Sequence, residues 1–392
     1  MRILFFTNEY SHPELPPHGG VGTFFKTVAE RLTAQGHEVF IYGFSKRKYE
    51  IIDDEIKIKF FKQYFKANPI AELFRSLSSR LGYPSITEYW LKKERQHLTK
   101  QLKKYALKNN IDIIQSFTFN GFTAFWDNSI PLVTRYHGSR GFWHYYLNKP
   151  YEELKIKMEK KALLVTPFTV ANSYFSKDFI KDYYDIEVAK VIPNGIDVNH
   201  FSPKKDVEEI PKSIFYVGTI SEAKGVNNLI SAFNEIIKKH PDATLHLIGR
   251  GEKYFNQLKS KLFTEAALVN TTYYKHISLK ELPRKLSEAS LIAVPSKGET
   301  FGFTIVEAMA LEKITVVSDI PVAHEIIEDT KDGFIAKDTK HFEELICKVF
   351  DHPEAFSTMR KVAREKVLAN YTLELMTKAT LNYYKEILKT EE

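Results

Sequence analysis

Short apolar runs alternate along this chain with segments in which apolar residues recur every three or four positions. The runs are typical of buried strands, and the recurring segments of amphipathic helices. In the C-terminal half the pattern predicts strands, each of the first five followed by a helix, at 214–217, 244–248, 268–274, 291–294, 315–317 and 334–336. Helices fill 339–390. This alternation predicts a parallel, doubly wound α/β sheet with right-handed crossovers.

The N-terminal half begins in the same way, with strands predicted at 3–6, 39–42, 111–115 and 131–135 and a helix at about 21–35. Residues 44–110 are less regular and are rich in lysine and aromatic residues, with a helix from about 88 to 108. A chain of 392 residues fits two domains of ordinary size. We therefore expect one domain over 1–195, a second over 196–375, and a terminal helix over 376–392.

The stretch 295–310 joins the predicted strand 291–294 to a helix through a loop that contains Gly298 and Gly302. Glycines let a ligand approach the backbone, and the first amides of a helix favour an anion such as phosphate. Glu299 and Glu307 lie eight positions apart, and carboxylates accept hydrogen bonds from the hydroxyl groups of a sugar or a ribose. A solvated helix start with two glutamates is the alternative interpretation.

These two glutamates, with Phe301-Gly302 between them and Ala308-Met309-Ala310 after them, resemble the glutamate signature of retaining GT-B glycosyltransferases of the family 4 type. In that family the first glutamate contacts the donor sugar, the second binds the ribose, and the loop amides lie beside the diphosphate. The resemblance therefore implies two α/β, Rossmann-like, doubly wound domains that face a central cleft, with the acceptor bound by the N-terminal domain and the donor by the C-terminal one. It also implies that the last helix packs back on the N-terminal domain.

Other segments resemble the family in the same order. The loop His18-Gly19-Gly20-Val21-Gly22 takes the place of its glycine element, and His137-Gly138 follows a strand where the family has a histidine near the sugar. The segment 191–197 contains Asn194-Gly195, a turn dipeptide, where the family crosses between domains. Lys224-Gly225 matches a phosphate-binding pair.

One departure concerns charge. Thr219 stands where the family usually has an arginine that neutralises the diphosphate, and a short hydroxyl cannot replace a bidentate guanidinium. Arg250 and Lys297 are the candidate substitutes.

The resemblance implies a hexosyltransferase that uses a UDP- or GDP-linked sugar, retains the anomeric configuration, and needs neither metal nor cofactor. It gives catalytic roles to His137, Glu299 and Lys224, and donor-binding roles to Gly20, Gly22, Gly218, Thr219, Arg250, Thr300, Phe301, Gly302, Phe303 and Glu307. The expected acceptor is a saccharide or a lipid-linked saccharide in cell-surface polysaccharide or glycolipid synthesis. A nucleotide-sugar epimerase and a donor-binding partner with weak activity remain alternatives. Glycoside hydrolysis is disfavoured, because one of the two carboxylates is expected at the ribose.

The composition indicates the class of protein and the compartment in which we expect it. The residues are 43% hydrophobic and 27% charged, as in a soluble globular protein, and no apolar run nears the roughly 20 residues of a membrane span. No signal-peptide pattern is evident, so we expect a cytoplasmic location. Cys347 is the only cysteine, so the chain has no internal disulfide and no thiolate metal site.

The net charge of +7 is uneven, because residues 1–110 carry 19 Lys or Arg against 11 Asp or Glu. Within them, 57–66 interleaves lysines with aromatic residues, and 73–81 continues that composition. Two interpretations remain open. The patch contacts anionic lipid at the inner face of the membrane, or an acidic acceptor; alternatively, it is a strand and helix with one solvated face. We expect no nucleic-acid partner.

Overall fold

The computed structural model describes residues 1–16 and 19–391, so His18 of the predicted glycine loop lies outside the described residues. The chain forms two compact units. The first comprises Met1–Asn172, Ser176–Ile192 and Thr377–Glu392, and the second comprises Ser173–Phe175 and Pro193–Met376. Among the described helices, none combines the length and the apolar character that crossing a bilayer requires.

Eight strands form the sheet of the first unit in its described part: β1 (Arg2–Thr7), β2 (Glu38–Ser45), β3 (Tyr49–Asp53), β4 (Ile56–Lys62), β5 (Ile113–Phe117), β6 (Leu132–Arg135), β7 (Thr169–Ala171) and β8 (Lys190–Val191). Their spatial order is β3-β4-β2-β1-β5-β6-β7-β8. Neighbours pair in parallel except β3, which is antiparallel to β4. The irregular segment 44–110 therefore adds an edge hairpin and three helices to an otherwise doubly wound sheet.

The helices up to residue 184 are α1 (Gly20–Ala34), α2 (Tyr64–Ala67), α3 (Pro69–Arg80), α4 (Pro84–Lys108), α5 (Arg140–Leu147), α6 (Glu153–Leu164) and α7 (Tyr174–Tyr184). Helix α1 buries Phe24, Phe25, Val28, Ala29 and Leu32, the face that its spacing predicts. From the C-terminal end of the chain, Tyr384 donates a hydrogen bond of 2.6 Å to Gln115 Oε1 on β5. The terminal residues are thus part of the core of the first unit.

The second unit has a six-stranded parallel sheet in the described chain: β9 (Ser213–Val217), β10 (Thr244–Ile248), β11 (Thr271–Tyr274), β12 (Leu291–Val294), β13 (Ile314–Ser318) and β14 (Phe334–Ala336). The order is β11-β10-β9-β12-β13-β14. Successive residues of β9 alternate between two apolar clusters, since Ile214 and Tyr216 lie in one and Phe215 in the other. Both faces of this sheet are therefore covered, as a parallel sheet requires.

Helices of the C-terminal half cover the two faces: α8 (Val226–Lys239), α9 (Glu252–Lys261), α10 (Glu265–Val269), α11 (Leu282–Ser287), α12 (Phe303–Ala310), α13 (Pro321–Ile326), α14 (Thr339–Asp351) and α15 (Ser357–Asn370). The last helix, α16 (Leu373–Glu391), belongs to the first unit from Thr377 onward. One sequence prediction was wrong in part. The strand expected over 268–274 begins only at Thr271, because the Thr264 side chain caps a short helix by accepting a bond from Ala267 N.

Candidate active site

The strand order of the second unit brings two loops together. Strands β9 and β12 are neighbours, yet the chain leaves β9 toward β10 on one side and leaves β12 toward β13 on the other. Ligands of open α/β sheets bind at such a switch point, outside the carboxyl ends of the strands. The loop with Gly218 and Thr219 follows β9, and the loop 295–302 follows β12. The predicted donor residues of this unit gather at the switch point.

Gly225 determines how closely its own segment packs on the loop after β12. Gly225 has a φ of +66°, and a Cβ there would lie 1.6 Å from the carbonyl oxygen of Pro295. Lys297 N donates to Ala223 O over 3.1 Å, which joins the single turn Glu222–Lys224 to the same loop. Only glycine permits this close approach, and the consequence is that Lys224 is held beside the loop that carries Glu299.

Glu299 is held by two donors. Lys224 Nζ lies 2.5 Å from Glu299 Oε1, and Ser296 Oγ donates to the same oxygen over 2.8 Å. No described residue donates to the other oxygen, Oε2. The side chain of Glu299 is about one-fifth exposed. The carboxylate is thus oriented through one oxygen, while the second can accept a hydrogen bond from a ligand hydroxyl.

Glu307 is in a different environment, on helix α12. No described residue forms a hydrogen bond or an ion pair with its carboxylate, and desolvation raises its pKa from 4.5 to about 7. At the start of the helix, Gly302 is left-handed with a φ of +86°, and Ile305 N and Val306 N donate to its carbonyl. The amides of Phe303 and Thr304 have no acceptor among the described residues. Within the described part of the chain, a carboxylate and two amides of one helix thus have no protein partners.

Thr219 and Arg250 lie side by side in the loops after β9 and β10. Tyr216 Oη donates to Thr219 O over 2.8 Å, and Ile220 N donates to Arg250 O over 2.7 Å. Gly249 packs so tightly on Gly218 that a Cβ would meet its carbonyl oxygen at 2.0 Å. The exposed Arg250 side chain has no ion pair in the described chain, whereas Lys297 pairs with Glu222 over 2.9 Å. Of the two candidate substitute cations, Arg250 is the one without an acidic partner.

The remaining predicted residues belong to the first unit. His137 follows β6, and its ring packs edge-on against Phe24 of helix α1, with the centroids 4.4 Å apart. Burial and then the charge of Arg135 lower the pKa of His137 well below its usual value, so the ring is neutral. Its buried Nε2 has no hydrogen-bond partner among the described residues. Because helix α1 begins at Gly20, the fold brings His137 next to the helix that the glycine loop opens.

Gly20 and Gly22 differ in their surroundings. Gly22 is buried in helix α1, whereas a Cβ on Gly20 would meet no atom within 4 Å. Gly19 N donates to Glu9 Oε2 over 2.9 Å. Packing within the described residues therefore gives no reason for a glycine at position 20.

The sequence analysis did not identify two supporting residues, Ser296 and Glu159. Ser296 lies inside the stretch that the sequence singled out, but nothing in the pattern pairs it with Glu299. Glu159 is fully buried and accepts hydrogen bonds from Asn120 N, Arg140 N and Tyr184 Oη at 2.9–3.0 Å. Burial raises its pKa to about 7. Arg140 opens helix α5, the helix after the His137 loop, so Glu159 fixes where that loop ends.

Two family models match consecutive parts of this chain. The model described as Glycosyltransferase Family 4 matches residues 18–200, and the model described as Glycosyl transferases group 1 matches residues 197–366. Together they cover residues 18–366, which include all the strand-end loops described above. The chain is a GT-B glycosyltransferase of the family 4 type.

Relatives agree with this assignment. The glycosyltransferase is 23% identical over 357 residues to an alpha-monoglucosyldiacylglycerol synthase of Streptococcus pneumoniae, a match covering 85% of this chain and 74% of that protein. Its fold resembles sucrose-phosphate synthase from Thermosynechococcus elongatus, with a TM-score of 0.78, 18% identity and 99% of each chain covered.

A second solved structure, of the Anabaena protein HepE, was determined in complex with UDP and glucose. It gives a TM-score of 0.72 at 18% identity and covers 98% of this chain and 100% of that one. At such identity the two solved structures establish the fold alone. The enzyme is a hexosyltransferase, and transfer from a nucleotide sugar is its class of reaction.

Proposed function

We propose that this glycosyltransferase moves a hexose from a UDP- or GDP-linked donor to a saccharide or lipid-linked acceptor, with retention at the anomeric carbon and without a bound metal. The pathway we propose is the synthesis of a cell-surface polysaccharide or glycolipid. The observation that carries the proposal is the Lys224–Glu299 pair at the switch point of the second unit. It supplies a cation for the diphosphate and a carboxylate for the sugar from one cluster.

We assign the donor contacts to groups that have no partner, or only one occupied oxygen, among the described residues. Glu307 accepts hydrogen bonds from the ribose hydroxyls, and the Phe303 and Thr304 amides bind the diphosphate together with Lys224 and Arg250. Glu299 Oε2 accepts from a hydroxyl of the sugar. We also propose a substrate-binding role for the neutral His137 ring of the first unit, because its buried Nε2 has no hydrogen-bond partner among the described residues.

In the proposed step the bond between the anomeric carbon and the diphosphate oxygen breaks, and the acceptor oxygen forms the new bond. The proton of the acceptor hydroxyl leaves with the diphosphate. Negative charge grows on the departing diphosphate, and preorganised cations and amides stabilise such charge most where water is excluded. Lys224 would then exchange part of its contact with Glu299 for the β-phosphate.

We infer the class of acceptor from the names of the relatives. The name of the Streptococcus pneumoniae relative states a glucosylated diacylglycerol, which supports a lipid acceptor. The sucrose-phosphate synthase of similar fold is named for a small sugar phosphate. We favour the lipid or lipid-linked class because the sequence match to the first covers most of both chains.

The test has two stages. Calorimetric titration with UDP, GDP and ADP, each with and without Mg²⁺, should give micromolar binding of one nucleotide, near −8 kcal/mol, that does not require Mg²⁺. The matching nucleotide sugar is then incubated with and without lipid or saccharide acceptors, and the anomer of the product is read from its proton coupling constant. Transfer with retention supports the proposal. Conversion of the donor alone would indicate an epimerase, and binding with neither reaction would indicate an inactive partner.

A further inference from the structure

Helix α3 of the first unit turns its apolar side away from the protein. Among its side chains that the structure describes, those of Ala71 and Ser78 are buried. Its large apolar residues are exposed instead, with fractions of 73% for Ile70, 57% for Leu73, 54% for Phe74 and 43% for Leu77. Their spacing of three, one and three positions places them on one face. A surface helix ordinarily packs such a face on the core, and an exposed apolar face of this kind is typical of an interaction surface.

The exposed apolar surface continues beyond helix α3. In the turn and the first part of α4, Leu81, Tyr83, Ile86 and Tyr89 are between 46% and 66% exposed. We call the eight exposed apolar residues between Ile70 and Tyr89 the apolar ridge. The two helices are held together beneath it, because Ser78 and Thr87 share a hydrogen bond of 3.1 Å. The ring of Phe74 also stacks on Trp90, with the centroids 6.4 Å apart. The ridge is therefore part of a packed helical hairpin.

The exposed charges without an ion pair in the described segment 62–93, which carries the ridge, are all positive. Residues 62–93 contain six Lys or Arg and two Asp or Glu. Both acids are neutralised, since Glu72 pairs with Arg75 over 2.8 Å and Glu88 pairs with Lys157 over 3.0 Å. The exposed cations that have no ion pair with a described residue are Lys62, Lys66, Arg80, Lys92 and Lys93. The ridge is thus bordered by unneutralised positive charge.

The basic strand before this hairpin is different. On β4 the side chains of Ile56, Ile58 and Phe60 are buried. Lys57 pairs with Glu38 over 2.7 Å, and Lys59 pairs with Glu50 over 2.8 Å. The interpretation as a solvated strand is therefore correct for this part of the basic segment. It does not account for the α3–α4 hairpin, where apolar side chains are exposed and cations are unpaired.

We propose that the apolar ridge docks the enzyme on an anionic membrane surface. Exposed Leu, Ile, Phe and Tyr side chains insert among the acyl chains and head groups, while the surrounding Lys and Arg contact lipid phosphates. A second copy of this chain is a poorer occupant, because it would oppose two surfaces that both carry unneutralised positive charge. The surface is distinct from the donor residues, so the inference does not depend on which sugar or acceptor the enzyme uses.

The test uses the full chain and vesicles. Phosphatidylcholine vesicles with and without phosphatidylglycerol are sedimented with the protein at low and at high salt. We expect binding only to the anionic vesicles, weakened by salt because the surface charges are screened. The double variant L73S/F74S should lower the bound-to-free ratio by about tenfold or more, as expected when two inserted apolar side chains are lost. The matched control is L107S on helix α4, since Leu107 is 52% exposed but lies outside the ridge.

Charge is tested separately. K66E/R80E should release the enzyme from anionic vesicles, whereas K104E/K108E changes the net charge equally, lies outside the ridge, and should retain binding. Thermal unfolding confirms that each variant is folded. Three results would overturn the proposal: no binding of the wild type to anionic vesicles at low salt, equal loss in the ridge and control variants, or a lipid-free dimer that L73S/F74S dissociates in sedimentation velocity.

Discussion

Lys224 Nζ and Glu299 Oε1 lie 2.5 Å apart although the residues are 75 positions apart in the chain. They meet because β9 and β12 are adjacent and each residue lies in a segment that follows one of these strands. The pair is partly exposed, so its contribution to stability is small. Its position at the switch point of the sheet instead makes it the centre of the proposed donor site.

Replacing Lys224 with alanine should lower kcat/KM by about 10²-fold, the order found when one preorganised charge donor is removed from an active site. The matched control is Lys297→Ala, whose cation pairs with Glu222 at the surface. Steady-state kinetics with the nucleotide sugar measure both variants. Equal losses in the two would mean that Lys224 acts only as a general positive charge.

Substitutions of the two glutamates should affect different kinetic and binding parameters. Glu307→Ala removes the proposed ribose contact and should weaken nucleotide binding by about tenfold, or about 1.4 kcal/mol. Glu299→Ala should lower turnover more than nucleotide affinity, since its free oxygen is proposed to contact the sugar. Calorimetry with the nucleotide and single-turnover kinetics distinguish the two effects. If Glu307→Ala left nucleotide affinity unchanged, the ribose would have to be placed elsewhere.

Glu307 should also make stability depend on pH. Its pKa in the folded enzyme is about 7 against an ordinary 4.5, so the folded state binds more protons between these values. Its contribution therefore favours folding at low pH and is lost as the pH rises through about 7. Glu307→Gln should be more stable than the wild type by about 1–2 kcal/mol at pH 8 and nearly equal to it at pH 4.5.

Urea denaturation at the two pH values measures this difference. Because Glu159 also titrates near 7, only the comparison between the wild type and the variant isolates Glu307. A wild type as stable as Glu307→Gln at pH 8 would show that the carboxylate is well solvated.

Glycines at positions 225 and 20 should respond differently to alanine. Gly225→Ala should cost about 3 kcal/mol, because φ is left-handed and the Cβ would collide with Pro295 O. Gly20→Ala should change the free energy of unfolding by less than about 0.5 kcal/mol. If a ligand approaches Gly20, that variant should nevertheless lower kcat/KM. Thermal unfolding and kinetics on both variants give the comparison, and a large loss of stability at position 20 would contradict it.

Arg250 is expected to supply the positive charge that the family usually has from an arginine at the position of Thr219. Arg250→Ala should weaken binding of the nucleoside diphosphate about tenfold and that of the monophosphate less, because a guanidinium pairs best with the additional phosphate. Lys253→Ala, an exposed cation on helix α9, is the control. Adding Thr219→Arg should restore affinity to Arg250→Ala. Equal losses for diphosphate and monophosphate would argue against contact with the second phosphate.

Much of the fold could be read from the sequence because periodicity is local. The six strands of the second unit were predicted, as was the apolar face of helix α1. Where a side chain overrides the pattern, the prediction was wrong, as at the Thr264 cap before β11. The Asn194-Gly195 dipeptide was predicted as a turn, but the backbone forms no turn at these two residues, and Gly195 is not left-handed. A Cβ there would lie 2.3 Å from Thr372 O, so the glycine permits close chain packing.

The features of the candidate site also divide into those that the sequence predicted and those that only the structure revealed. The sequence by itself determined which residue types flank the strand ends, because the glutamates, glycines and Lys224 lie in short motifs of fixed spacing. Only the tertiary structure decided which oxygen of Glu299 accepts a hydrogen bond from Lys224 and that Ser296 donates to the same oxygen. It also decided that Arg250 lies beside Thr219, and that Lys57 and Lys59 of β4 are paired while the apolar side of α3 is exposed. These relationships depend on which distant segments become neighbours, and a linear pattern carries no direct record of that.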